Sequence, residues 1–226
     1  MNPFNINSPI MQFLAKVADL MILNVLTIIF SIPIVTIGAA TAALHSCVEK
    51  VFDDEGTLLK NYFRAFFSNF KQATLEWLLL LFLGGVSLIV LLFAKGNEFA
   101  AVSMVMCMAG MVICGLVFVW VFPLQVHFHN TTLAMLRNAL ICSFSYPIRS
   151  IVMLALNLVP AIILVFVDGG LFLKMAPLWL IGWFSICTWA CQLLLKKPLN
   201  MLKEMATNQA EANQGETQEN NELPEA

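Results

Sequence analysis

Charge is scarce in this chain, and it comes in short clusters. Of 226 residues 12% are charged and 60% are hydrophobic. The intervals Leu20–Val48, Trp77–Ala94, Phe99–Leu136, Ser150–Val167 and Met175–Leu195 contain no Asp, Glu, Lys or Arg. Runs of this length cross a hydrocarbon layer of about 30 Å as helix. A soluble core helix would carry polar residues on one face at helical spacing; these runs do not. In lipid every backbone amide and carbonyl needs an internal partner, which leaves helices as the natural solution for continuous apolar runs. The sequence therefore predicts an all-α, polytopic membrane bundle with about five spans, a proline-broken N-terminal segment and a cytoplasmic amphipathic helix.

The mean hydropathy of +0.83 lies outside the soluble range. The net charge of −2 and the absence of a basic run argue against a nucleic-acid partner. The N-terminus lacks the basic flank of a cleaved signal and is expected to be retained. Residues 1–203 are expected to form the membrane domain. Residues 204–226, rich in Asn, Gln and Glu, are expected to be a disordered cytoplasmic tail. Cys47, Cys107, Cys114, Cys142, Cys187 and Cys191 lie in or beside apolar runs without a C-x-x-C pair. They read as reduced thiols acting as small apolar side chains.

Along the chain, Ser8-Pro9 is a helix start, and Lys16 and Asp19 are spaced to pair near it. Pro33 then breaks the helix, because proline removes a backbone donor and clashes with the preceding turn. Helix resumes over Ala39–Phe52, rich in small residues that allow close helix approach. Two parses are open: one long kinked span, or a full span followed by a short returning helix. After the polar turn Asp53–Gly56, Leu58–Glu76 reads as an amphipathic helix. Phe63, Phe66 and Phe70 lie along it at helical spacing, with Arg64 and Lys71 elsewhere on its surface; the face suits a headgroup boundary, a partner or the bundle itself. Further spans are expected over Trp77–Phe93, Ala101–Phe122 (ended by Pro123), Ile151–Val167 and Met175–Leu195. A polar connector is expected over Gln125–Arg149, and Lys196-Lys197-Pro198 marks an exit. Nine of the 12 basic residues (Lys50, Lys60, Arg64, Lys71, Arg137, Arg149, Lys196, Lys197 and Lys203) fall in three regions that alternate to one side. By the positive-inside rule that side, with the C-terminus, is cytoplasmic.

No phosphate-binding loop, H-E-x-x-H or G-x-S-x-G motif occurs, so no catalytic residue, metal site or cofactor is assigned, and the chain is expected not to be an enzyme. His127 and His129, two apart, point to different faces of a helix and suit interfacial hydrogen bonding better than a shared metal. His45 reads as a packing or hydrogen-bonding residue. The candidate functional residues are Asp19 and Asn24, polar groups at an apolar run, and Pro33, Thr36 and Gly38, where a broken helix frees backbone groups of the kind transporters use. For Asp19 the competing reading is the pair with Lys16; for the break it is a membrane-interface turn.

The residues Ala18-Asp19-Leu20, Asn24, Ser31–Leu44, Asp54-Glu55-Gly56, Phe63-Arg64-Ala65-Phe66 and Asn69–Ala73 resemble the YesL family of bacterial integral membrane proteins, a family of unknown function. The resemblance is specific over about Pro9–Glu76. It implies a multi-pass protein of the bacterial cytoplasmic membrane and an association with carbohydrate-uptake systems, with ABC sugar-transporter subunits or a membrane sensor kinase as partners beside the bilayer. It carries no established site residues. The expectation is an accessory or scaffold component of an ABC-type carbohydrate-uptake system. The alternative is a small stand-alone transporter or channel, which should show a vestibule reaching the Pro33 segment.

Overall fold

The structure, a computed structural model, describes residues 9–52, 57–93, 100–128, 130–163 and 169–222. The described residues are helical, without strands. The order is α1 (Pro9–Ser31), a 3-10 turn (Ile34–Thr36), α2 (Ile37–Phe52), α3 (Leu58–Phe93), α4 (Ala100–His127), α5 (Thr132–Ser145), α6 (Pro147–Ile162), α7 (Gly169–Lys174), α8 (Ala176–Leu178), a π-helical stretch (Trp179–Trp183) and α9 (Phe184–Glu222). Among these residues five helical segments are long and apolar enough to cross a membrane: Ile10–Ser31, Ile34–Phe52, Leu58–Phe93, Ala101–His127 and Ala176–Met205. Helices α5 and α6, bent by 108° to one another, make a sixth span if the pair is counted as one.

The Pro33 break is a hairpin turn. The Lys16 ammonium donates to the Phe52 carbonyl at 3.2 Å and lies 5.7 Å from the Phe52 ring centroid, which sets the start of α1 beside the end of α2. Of the two parses, the structure has the returning helix.

Helix α2 is the centre of the bundle and packs against α1, α3, α4 and α9. Gly38, Ala39, Ala40, Ala42 and Ala43 are all buried in it. Small side chains let the neighbouring backbones come close, which replaces the missing hydrophobic drive between helices in lipid with dispersion contact. At Gly38 the approach is closest: a Cβ there would run into the Ala73 carbonyl oxygen and stand 2.6 Å from the Trp77 Cβ.

The amphipathic helix and the following span are one helix. No proline or polar turn separates Glu76 from Trp77, and α3 is continuous for 36 residues, about 54 Å at 1.5 Å per residue. That exceeds the hydrocarbon thickness, so part of α3 lies outside it. Its polar half packs along α2, and the aromatic face splits. Phe66 is 4% exposed and, with Tyr62, packs on Phe30 at the end of α1, with ring centroids at 4.9 and 5.9 Å. Phe70 is half-buried beside Phe66. Phe63 touches Phe30 with one edge yet stays exposed, as do Phe67, Arg64 and Lys71.

Three prolines, two of them read as boundaries, lie inside helices. Helix α4 passes Pro123 to His127, α6 passes Pro160, and α9 passes Pro198. Each costs one backbone donor, and packing on neighbouring helices holds the rest of the ladder. The expected polar connector Gln125–Arg149 contains the helix α5, and the expected span Ile151–Val167 ends partly outside the described residues. Helix α9 continues to Glu222, across the segment whose composition predicts a disordered tail. That segment is poor in apolar residues, yet it carries Ala, Glu and Gln, which favour helix locally. The six cysteines are free thiols.

Gly38→Ala is expected to destabilise the folded protein by about 1–3 kcal/mol, because backbone atoms rather than a mobile side chain must move. Gly84→Ala and Gly85→Ala, where a Cβ meets nothing within 4 Å, should be neutral or stabilise slightly. Thermal unfolding of the purified protein in mild detergent checks this ranking.

Candidate functional site

A cavity of about 620 Å³ opens among α1, α2, α4, α6 and α9. Its apolar wall includes Ile28, Leu44, Phe118, Leu154 and Phe184, with Gly115 leaving room on α4. Six polar side chains reach it: Thr27, Ser31, Thr41, His45, Asn157 and Thr188. Among the described residues no Asp, Glu, Lys or Arg lines it. One end touches Ser31, Ile32 and Ile37, on either side of the hairpin turn.

Three of these polar groups are held by their own helices. Thr27 and Thr41 donate to the carbonyls of Leu23 and Ile37, each at 2.8 Å. The Asn157 amide donates to Met153 at 2.9 Å and approaches the Cys191 sulfur at 3.8 Å. This is the usual four-residue back-bond that lets a short polar side chain live in an apolar helix. His45 differs. It is 8% exposed, and its Nδ1 is buried without a hydrogen-bond partner among the described residues. Thr74 Oγ1 and Ser185 Oγ are buried in the same condition, but neither lines the cavity.

One turn along α2 from His45, Glu49 accepts from His127 Nε2 at 3.2 Å, while His127 Nδ1 lies 2.9 Å from the Pro123 carbonyl. Lys196 and Lys203 act on Glu49 electrostatically. None of Glu49, His127, Lys196 and Lys203 lines the cavity. His127 works as a hydrogen-bonding residue at a helix end; His129 lies outside the described residues. Among the described residues there is no group of three or more His, Cys, Asp or Glu placed to hold a metal ion. On α3, Glu76 is fully buried and accepts from Gln72 at 2.9 Å. With its amide turned so that nitrogen faces the carboxylate, Gln125 donates to the second oxygen at 3.2 Å.

None of the candidate residues read from sequence, Asp19, Asn24, Pro33, Thr36 and Gly38, lines the cavity. Asn24 has a definite task. It is fully buried, and its amide donates to the carbonyls of Trp179 and Leu180 at 2.9 and 2.7 Å. Its oxygen accepts from the backbone N–H of Phe184 and Ser185 at 3.0 and 3.3 Å. A π-helical stretch leaves backbone groups out of the regular ladder, and one asparagine takes four of them. Asn24 is thus a structural clasp between α1 and the last span. Thr36 does similar work at the Pro33 break: its hydroxyl lies 2.6 Å from the Phe30 carbonyl and 2.8 Å from that of Pro33. The Trp77 indole donates to Ile34 at 2.7 Å. The carbonyls of Phe30, Pro33 and Ile34 at the break are therefore occupied, and Pro33, Thr36 and Gly38 shape the turn without lining the cavity. Asp19 is half-buried on α1, away from the lining, while Lys16 reaches the Phe52 carbonyl.

Sequence reading missed the cavity set: Thr27, His45, Asn157 and Thr188. The available signal was single polar residues inside otherwise apolar runs, which is weak because back-bonded Ser, Thr and Asn serve packing equally well.

The model of a family described as a protein of unknown function, DUF624, matches residues 20–91. That interval covers the second half of α1, all of α2 and nearly all of α3, and so includes the hairpin turn. No curated protein matches the chain, and no solved structure matches it.

Asn24→Leu, of similar volume, would strand two carbonyls and two amides in an apolar interior. A loss of about 2 kcal/mol or more is expected, given that each buried unpaired polar group costs roughly 1–3 kcal/mol. Denaturant titration followed by tryptophan fluorescence reads it, since Trp179 and Trp183 sit at the clasp.

Proposed function

We propose that this chain is a small stand-alone membrane carrier that binds a small molecule in the cavity beside the Pro33 turn. The cavity itself carries this reading. Its size falls within the range of small-molecule pockets, roughly 300–1,000 Å³, and its make-up matches them: mostly apolar walls with a few polar groups. Its contact with Ser31, Ile32 and Ile37 puts it where two helices meet in a turn, a natural place for a pathway to open. An oligosaccharide would need a far more polar lining, so the cavity offers no support for a plant-polysaccharide fragment as cargo.

A second reading comes from the YesL-family resemblance: an accessory component of a carbohydrate-uptake system in the bacterial cytoplasmic membrane, with its C-terminus inside. The surface of α3 favours it. Phe63 and Phe67 are exposed at 39% and 68% beside the exposed Arg64 and Lys71, an aromatic and basic strip suited to a transporter subunit, a sensor kinase or lipid headgroups.

Extraction of the native membrane in mild detergent, followed by mass spectrometry of everything retained, separates the two. The carrier reading expects a near-stoichiometric small molecule that is lost from Gly115→Phe. That variant fills the cavity at a position where the first atom met is the mobile end of Leu154, at 2.9 Å. Stoichiometric importer subunits with an empty cavity would instead favour the accessory reading, and Phe67→Glu should then release them.

A further inference from the structure

We infer that the cavity is open to the bilayer rather than to water, and that what fills it is the uncharged hydrocarbon chain of a membrane lipid. The inference rests on the carrier reading and adds to it the route of entry and the class of ligand.

The rim carries the argument. Of the residues that line the cavity, Ile32, Leu158 and Phe184 are also exposed on the outer surface of the molecule, at 75%, 43% and 38%, and so is Asn157. Ile32 lies just past α1, Asn157 and Leu158 belong to α6, and Phe184 opens α9. Residues that both line a cavity and meet the surroundings stand at its mouth. Three of these four are large and apolar, and none carries a charge. A mouth turned to water would leave them wet, at a cost in proportion to the apolar area exposed. The surface beside the mouth continues the pattern. Val25 and Ile29 on α1, Ile162 on α6, and Leu180 and Ile181 ahead of α9 are exposed and apolar. Each stands three, four or seven residues from the rim residue of its own segment, the spacing that keeps side chains on one face. Helix α1 and the segment Ala176–Met205 are long and apolar enough to cross a membrane, so the mouth opens on a surface made for hydrocarbon.

The interior suits the same occupant. Among the described residues no Asp, Glu, Lys or Arg lines it. A charged head group drawn inside would lose its hydration without gaining a counter-charge. The hydroxyls of Thr27 and Thr41 and the amide of Asn157 spend protons on their own backbone carbonyls. A sugar would leave most of its hydroxyls without partners there. A methylene chain asks for none, and it restores the dispersion contact that an empty void forfeits.

The test uses the full-length protein in nanodiscs of phosphatidylcholine and phosphatidylglycerol. Three probes carry the same diazirine: a phosphatidylcholine with the group in mid-chain, a free long-chain alcohol, and glucose. Irradiation followed by peptide mass spectrometry maps the labelled residues. Leu44, Val119 and Cys191 line the cavity and are buried, so a label on them reports entry, whereas Val25 and Ile29 report the outer surface. In wild type the phospholipid or the alcohol should label the three buried residues, and the glucose probe should leave them at background. Which lipid probe does so names the source of the chain, the phospholipid of the bilayer or a free lipophile dissolved in it. Gly115→Phe, which fills the cavity, should abolish the interior label and keep that on Val25 and Ile29. Interior labelling by the glucose probe at or above the level of the lipid probes would overturn the route and the ligand class while leaving the carrier reading standing. Interior labelling that persists undiminished in a folded Gly115→Phe protein would show that the label does not come through the cavity, and would overturn the inference too. Absence of interior labelling by any probe would overturn it together with the carrier reading. The comparison of probes in wild type decides the matter even if Gly115→Phe fails to fold.

Discussion

An apolar surrounding does not forgive an unpaired backbone group, and the chain meets that demand with specific side chains at three places where its described helices stop being regular. The Pro33 turn is closed by Thr36 and by the Trp77 indole. The π-helical stretch before α9 is closed by Asn24. At the bend between α5 and α6, the Ser150 hydroxyl lies 3.0 Å from the Ser143 carbonyl and 2.9 Å from that of Tyr146, and it accepts from the Trp120 indole at 2.7 Å. In two of the three cases the closing group comes from another helix, and in the third a tryptophan of α4 joins the local hydroxyl. Satisfying the breaks therefore also ties the bundle together. Irregular backbone, elsewhere a source of looseness, is here where distant parts of the chain are joined.

The same joints define the cavity. Asn24 holds α1 against the last span, and the hairpin turn holds α1 at its distance from α2, so the walls formed by Thr27, Ser31 and Thr41 sit on well-anchored backbone. Small residues on α2 do the complementary work. Packing Gly38 on Ala73 and Trp77 brings α3 close on one side of α2, while the cavity lies towards α4, α6 and α9. A tight seam on one face of a helix and a void on another is an arrangement that packing for stability alone would not favour, since an unfilled void forfeits dispersion contact. Occupancy by a ligand would recover those contacts, which links the geometry of α2 to the carrier reading.

The cavity also bears on the aromatic face of α3. Phe66 and Tyr62 are used up in packing on Phe30, so the surface available to a partner shrinks to Phe63, Phe67, Arg64 and Lys71. A partner-binding role and a ligand-binding role would thus occupy different faces of the molecule. Changes to one need not disturb the other.

Hydropathy by itself determined that the chain is an all-helical bundle suited to a membrane, and Pro33 marked the first break, because hydrocarbon solubility and proline geometry are local properties of a segment. The direction the chain takes after the break was not determined in this way. Ser31–Gly38 reads equally well as a kink or as a hairpin, and only the contact of Lys16 with Phe52 decides between them. Pro123 and Pro198 look like helix ends in sequence and are helix interiors in the fold, because neighbouring helices hold a ladder that the isolated segment could not. Asn24 was legible as an unusual residue, but its four backbone partners lie more than 150 positions away, beyond the reach of any local pattern. The cavity was not legible at all. It is the space left between five helices, and the residues that line it are individually ordinary. His45 becomes distinctive only in the fold, which places the residue at that space and buries its Nδ1 without a partner among the described residues.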